Sequence, residues 1–291
     1  MNTPPPVPAA VDPAPPFEAA PGIPSTFSPP PAGPARPWLG FVLDFLMAMG
    51  LLLAVTLLGM IGWGMVRAMQ VVATHGPDLA ADGDAFTRAI GEPGALPLLV
   101  VGSLAMLAAA GLVYRWRRRA SPDEFARSRA AAMQPRTWLE GIGVGVGLFV
   151  ASTGLMMLLE RFGHVPEPSN LQMLEQALAF SPMLLLFIAV LMAPLTEELL
   201  FRRVLFGRLW AAGKPMAGIV ASSLLFALMH EIPGTTGAPW PMTMILLVFY
   251  ALMGASFAWI YRRRGTLWAA ILAHATNNLL ACVMLMAGYG S

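Results

Sequence analysis

After Trp38 the chain is a succession of apolar blocks, each close to the length of a bilayer crossing, separated by short polar loops. A helix needs about 20 residues to cross a hydrocarbon core about 30 Å thick. The blocks at 39–66, 95–114, 138–159, 181–201, 215–231, 241–261 and 266–287 come near that length, the fifth being the shortest. In hydrocarbon every backbone amide must be satisfied within the protein, which leaves helices or a closed β-barrel. The alternation of apolar and polar positions that marks a membrane barrel strand is not present. The sequence therefore predicts an all-α polytopic membrane protein of about seven transmembrane helices. Composition agrees, with 57% hydrophobic and 12% charged residues against roughly 25% charged in an ordinary soluble domain. A net charge of +2 argues for no nucleic-acid partner. The partner written along the whole chain is the lipid bilayer.

Arginine placement gives an orientation. Arg115, Arg117, Arg118, Arg119, Arg127, Arg129 and Arg136 crowd the loop between the second and third blocks. Arg202, Arg203, Arg208 and Lys214 lie between the fourth and fifth, and Arg262, Arg263 and Arg264 follow the sixth. Alternation puts these three loops on one side, which the positive-inside bias makes cytoplasmic. The opposite loops carry Asp78, Asp82, Asp84, Glu92, Glu167 and Glu175. An integral, multi-pass protein with a cytoplasmic N-terminus and an outside C-terminus is expected. Lys214 is the only lysine among 18 basic residues, a bias typical of GC-rich genomes, so a bacterial cytoplasmic membrane is the expected location.

Three regions follow. Residues 1–37 are rich in Pro and Ala and read as an extended or disordered cytoplasmic tail; the basic and then apolar run of a cleaved signal peptide is not seen there. Residues 38–137 hold two accessory helices and the basic loop, and residues 138–291 hold the remaining five. Gly141, Gly143, Gly145 and Gly147 at the start of the third block form two small-xxx-small pairs, which let helices approach closely. Asp44 reads as interfacial or paired with an arginine, and Cys282, in an apolar run, as a buried inert thiol.

Ionisable side chains at membrane depth cost a few kcal/mol each even on lenient scales, so they need a reason. Three groups stand out. In Glu197-Glu198-Leu199-Leu200-Phe201-Arg202, Glu198 and Arg202 are spaced i,i+4 and can pair, while Glu197 points about 100° away. In Phe226-Ala227-Leu228-Met229-His230 the two rings share one helix face. In His274-Ala275-Thr276-Asn277-Asn278 His274 and Asn278 are one turn apart. Each group alone has an ordinary reading: an interfacial ion pair, a helix-end histidine, an interhelical hydrogen bond. Peptide hydrolysis needs an activated water, a base and donors for an oxyanion. Glu197 could supply the base, and His274 with the Asn278 amide could supply donors. A carboxylate and two histidines are also a zinc ligand set, so a divalent metal such as zinc held by Glu197, His230 and His274 stays open.

In order, EExxxR, FxxxH and HxxxN resemble the CPBP family of intramembrane proteases, which includes the CaaX prenyl endopeptidases of the Rce1 type and bacteriocin-processing or self-immunity (Abi) membrane proteins. The resemblance covers roughly residues 180–288. It implies an active site between the fourth, fifth and seventh helices, with Glu197 as the base that activates water and Glu198 and Arg202 holding it in place. It further implies that His230 positions the water with Phe226 packed one turn earlier, and that His274 and Asn278 stabilise the oxyanion. Family members have been described both as metalloproteases and as glutamate proteases, and the motif serves either chemistry. The implied partner is a peptide or membrane-protein substrate. Leader peptides or other membrane proteins are more plausible in a bacterium than a prenylated CaaX protein. Two other classes remain: a non-catalytic scaffold or immunity protein, and a proton-coupled transporter.

Overall fold

The computed structural model describes residues 36–163, 168–234 and 239–288. The proline-rich stretch up to residue 35, and Glu167 among the acidic loop residues, lie outside them. The described residues are built of helices: α1 (Pro37–His75), α2 (Gly83–Ile90), α3 (Ala95–Arg117), α4 (Pro122–Ala132), α5 (Pro135–Arg161), α6 (Leu171–Phe180), α7 (Pro182–Ala211), α8 (Pro215–His230), α9 (Trp240–Arg264) and α10 (Leu267–Met286). Six of them, α1, α3, α5, α7, α9 and α10, are long and apolar enough to cross a membrane. The fifth expected crossing is the apolar helix α8, which at 16 residues falls short of that length. The protein is thus an all-α polytopic membrane protein.

Local chemistry sets the helix ends. Proline stands at the first helical position of α1, α4, α5, α7 and α8, where a missing N–H costs nothing. Gly265, at φ 65°, ends α9 in the left-handed conformation and lets α10 start two residues later. The short helices α2, α4 and α6 lie where loops were expected. α4 owes its start to a reciprocal capping box, in which the Glu124 amide donates to Ser121 Oγ (3.2 Å) and the Ser121 amide donates to Glu124 Oε2 (2.9 Å).

Helix α7 is the axis of the molecule. Every residue from Leu200 to Trp210 is buried, packed against α1, α3, α8 and α9. The expected end of this crossing at residue 201 is corrected to Ala211. The arginines that looked like a membrane boundary are instead buried and paired inside the protein. Arg208 Nε meets Asp44 Oδ2 of α1 at 2.5 Å, and Arg117 Nε meets the other oxygen of Asp44 at 2.7 Å. Arg203 holds Glu124 of α4 through two contacts of 3.3 and 2.9 Å. Arg263 Nε and Arg136 Nε both bond Glu140, at 2.8 and 2.6 Å. These pairs gather the three arginine-rich segments into one layer at one end of the bundle. Large apolar side chains meanwhile point outward along α1, α3 and α5, Leu58 being 69% and Leu139 71% exposed, as expected of lipid-facing positions.

Of the two glycine pairs on α5, one makes the close approach. A Cβ on Gly145 would run into the Ala273 carbonyl oxygen and lie 2.6 Å from Thr276 Cβ, and one on Gly141 would lie 3.1 Å from the Ala269 oxygen. Gly143 and Gly147 face open space. Gly145→Val should therefore lower the unfolding midpoint in detergent, overpacking costing about 1–3 kcal/mol. Gly143→Val should change it by less than about 0.5 kcal/mol. Equal midpoints for the two variants would contradict this packing.

Desolvation raises the Glu124 carboxyl, but its bonds from Arg203 and the Ser121 amide outweigh that and hold it below the ordinary range. A depressed carboxyl stabilises the docked helix above its free-state value, and the stabilisation is lost as pH falls through the folded-state value. Docking of α4 should thus be retained at neutral pH and lost only in acid. Glu124→Gln should speed amide exchange across 122–132 at pH 7; unchanged exchange would show that the ion pair does not hold α4.

Candidate active site

Helices α7 and α8 form an antiparallel hairpin around the turn at 212–214. Glu197 and His230 sit at almost equal distances from that turn, about 22 Å along each helix. This equality puts the two side chains at one depth, with His230 Nε2 3.5 Å from Glu197 Oε2. The pair keeps side-chain exposures of 21% and 17%, although Glu197 Oε2 itself is buried and makes no hydrogen bond among the described residues. His230 Nδ1 lies 2.8 Å from the Phe226 carbonyl oxygen. A carbonyl can only accept, so Nδ1 carries the proton and a neutral ring turns the lone pair of Nε2 to Glu197. The ring is clamped between Phe226, with centroids 4.1 Å apart, and Tyr250, at 4.9 Å.

The adjacent carboxylate belongs to a buried network. Glu198 Oε2 pairs with Arg202 Nε at 2.9 Å, and Glu198 Oε1 lies 3.0 Å from His274 Nδ1 of α10. Glu198 and Arg202 are fully buried and His274 nearly so. Arg202 places its guanidinium carbon 4.8 Å from the Phe226 ring centroid and 5.7 Å from those of Phe201 and Phe257. Among the described residues its Nη atoms make no hydrogen bond. Three aromatic faces and one carboxylate thus replace its water shell. The Phe257 ring stacks on His274 at 4.8 Å and 16°.

Six of the seven expected residues, Glu197, Glu198, Arg202, Phe226, His230 and His274, therefore belong to two connected contact sets. Asn278 faces elsewhere: its Nδ2 donates to the backbone carbonyl of Ala189 in α7 at 2.8 Å, and its Oδ1 accepts from Asn277 Nδ2 at 3.2 Å. Glu231, next to His230 in the chain, turns to a different partner. It is fully buried and accepts from the Ser169 amide at 3.1 Å. Tyr250 was not singled out, and an aromatic residue in an apolar helix offers no signal that would have found it. Pro194, three residues before Glu197 in the middle of an apolar block, was a usable signal, because proline breaks the helical hydrogen-bond pattern.

The metal reading can be tested on the donors. Among the described residues no three His, Cys, Asp or Glu side chains are grouped so as to hold a metal ion. Glu197 faces His230, whereas His274 is turned onto Glu198. As arranged, Glu197, His230 and His274 do not form one ligand set.

Residues 179–280 match the family model described as Type II CAAX prenyl endopeptidase Rce1-like, a stretch that contains all seven motif residues. A Bacillus subtilis protein named "Putative membrane peptidase YdiL" is 28% identical over 142 residues, covering 47% of this chain and 53% of that protein. "UPF0177 protein YxdF" of Lactococcus lactis is 33% identical over 93 residues, covering 32% of this chain and 45% of that protein. The chain spans about half the length of these curated relatives. No solved structure matches it.

Proposed function

Residues 179–280 form an Rce1-like domain of the CPBP family, and on that premise we propose that the chain is an intramembrane endopeptidase that hydrolyses peptide bonds of membrane-associated substrates with a water activated by Glu197. The observation that carries the reading is the approach of Glu197 to His230 at 3.5 Å, with Glu197 Oε2 free of any hydrogen bond among the described residues, beside a buried Glu198–Arg202–His274 network.

The proton inventory supports a hydrolytic cycle. Glu197 Oε2 and the lone pair of His230 Nε2 are two acceptors facing one another. A water admitted as the two side chains part donates one hydrogen to each and leaves its own lone pairs for a scissile carbonyl. As the new C–O bond forms, Glu197 takes the proton. The carbonyl oxygen becomes an oxyanion. His274 gives its Nδ1–H to Glu198, so in the protonated ring the remaining Nε2–H is the donor for that oxyanion. Collapse of the tetrahedral intermediate breaks the C–N bond, and the proton on Glu197 passes to the leaving amine. Arg202 engages one oxygen of Glu198 and leaves the other to His274 Nδ1, which fixes His274 in this orientation.

The arginine-rich layer is the cytoplasmic end on this reading, with the N-terminus on the same side. Substrates are then leader peptides or membrane proteins whose chains reach the α7–α8 hairpin from the bilayer or that face. The test compares peptides released from membranes of cells carrying the wild type or Glu197→Ala at equal membrane abundance. A set of fragments from membrane-associated proteins should appear with the wild type alone. Identical fragment profiles would overturn the proposal. Solute flux by both forms in proteoliposomes would then point to a transporter, and an unaltered phenotype after joint substitution of Glu197, His230 and His274 to a scaffold.

A further inference from the structure

We infer that Asn278 is a positioning residue: its side-chain amide takes the place of the backbone donor that Pro194 lacks, and so fixes the turn of α7 that carries Glu197 and Glu198. From Phe187 to Met192 the helix is wound with hydrogen bonds that reach five residues rather than four, and the Ala193 amide continues this register by bonding the Ile188 carbonyl. The next acceptor in line is the Ala189 carbonyl, and the donor due to it is residue 194. That residue is proline, which has no N–H. A main-chain carbonyl that loses its helical donor needs another partner. Asn278 Nδ2 meets it at 2.8 Å, and the bond from Asn277 Nδ2 to Asn278 Oδ1 fixes which end of the amide faces Ala189.

The consequence reaches the site through helical phase. One residue gained or lost in the winding turns everything beyond it by about 100°. The wide turns before Pro194, together with a second wide stretch from Leu199 to Phe206, thus set the phase in which Glu197 faces His230 and Glu198 faces His274. Asn278 stands one turn beyond His274 on α10, so a single helix both presents His274 to Glu198 and pins the wide turn that aims Glu198 at it. The amide is engaged by a backbone group, which separates this role from direct contact with a substrate oxyanion.

The inference rests on the proposed proteolysis only for its activity readout, and a double-mutant cycle tests it without that readout. Asn278→Ala should lower the unfolding midpoint of the full-length protein in detergent by about 4 °C. In a Pro194→Ala background, where residue 194 regains its N–H, the same substitution should cost less than half as much. Pro194→Leu replaces Pro194→Ala should the latter fail to accumulate in membranes. Proteolysis gives the second arm: Asn278→Ala should lower kcat about tenfold with KM within about twofold, and lose much less in the Pro194→Ala background. Equal midpoint losses in both backgrounds overturn the inference, and so does an equal loss of kcat in a Pro194→Ala enzyme that is itself active, because a catalytic amide would be missed regardless of residue 194. A wild-type protein without proteolysis would count against the proposed function alone, since the midpoints would still decide this role.

Discussion

Glu197→Gln should lower peptide hydrolysis by about 10²–10⁴-fold, the contribution of a positioned general base, while leaving the protein folded and in the membrane. The amide matches the carboxylate in size and can still hydrogen-bond a water, but it cannot take the proton that the attacking water must lose. Structural cost should be small because Glu197 is outside the Glu198–Arg202 ion pair and keeps 17% side-chain exposure. Turnover of a membrane-inserted reporter peptide, read beside the unfolding midpoint, separates chemistry from folding. A variant with wild-type turnover would remove Glu197 from the role of base. A variant that is inactive and also unfolds many degrees lower would make Glu197 a structural residue instead. Glu198→Gln should behave in that second way, since it takes the counter-charge from Arg202, which is fully buried.

Much of the architecture was legible because hydrocarbon imposes one rule on every spanning segment, and apolar length expresses it. Where a second rule competed, the reading failed. Arg202, Arg203 and Arg208 looked like the end of a crossing because arginine belongs at a membrane boundary. Their partners, Glu198, Glu124 and Asp44, come in part from helices far away in sequence, so their burial could not be foreseen. The i,i+4 pairing of Glu198 with Arg202 was readable from helical geometry alone. The bond between Glu198 and His274 was not, because it spans 76 residues and depends on how α7 and α10 cross. The contact between Glu197 and His230 follows from counting out from the turn at 212–214, but only once α7 is known to run to Ala211. The role of Asn278 was hidden for a different reason: its partner is a backbone carbonyl, which no side-chain motif records.

Arg202→Met should be the most destabilising single change in the site. The guanidinium is the counter-charge of a fully buried carboxylate, and removing one member of a buried ion pair costs about 3–5 kcal/mol because the other is left charged in low dielectric. That corresponds to a fall in the unfolding midpoint on the order of 10 °C for a protein of this size. Methionine fills the box of Phe201, Phe226 and Phe257 without strain, so the loss reports charge rather than a cavity. The double variant Glu198→Leu/Arg202→Met should regain most of the midpoint, since no charge is then buried alone. It should nevertheless stay inactive, because His274 Nδ1 has lost the acceptor 3.0 Å away that orients its ring. Stability and activity therefore part company across this pair of variants. If the double variant unfolds as early as Arg202→Met, the pair stabilises the bundle through packing and not through charge balance. If it hydrolyses the reporter peptide at the wild-type rate, Glu198 has no part in setting His274.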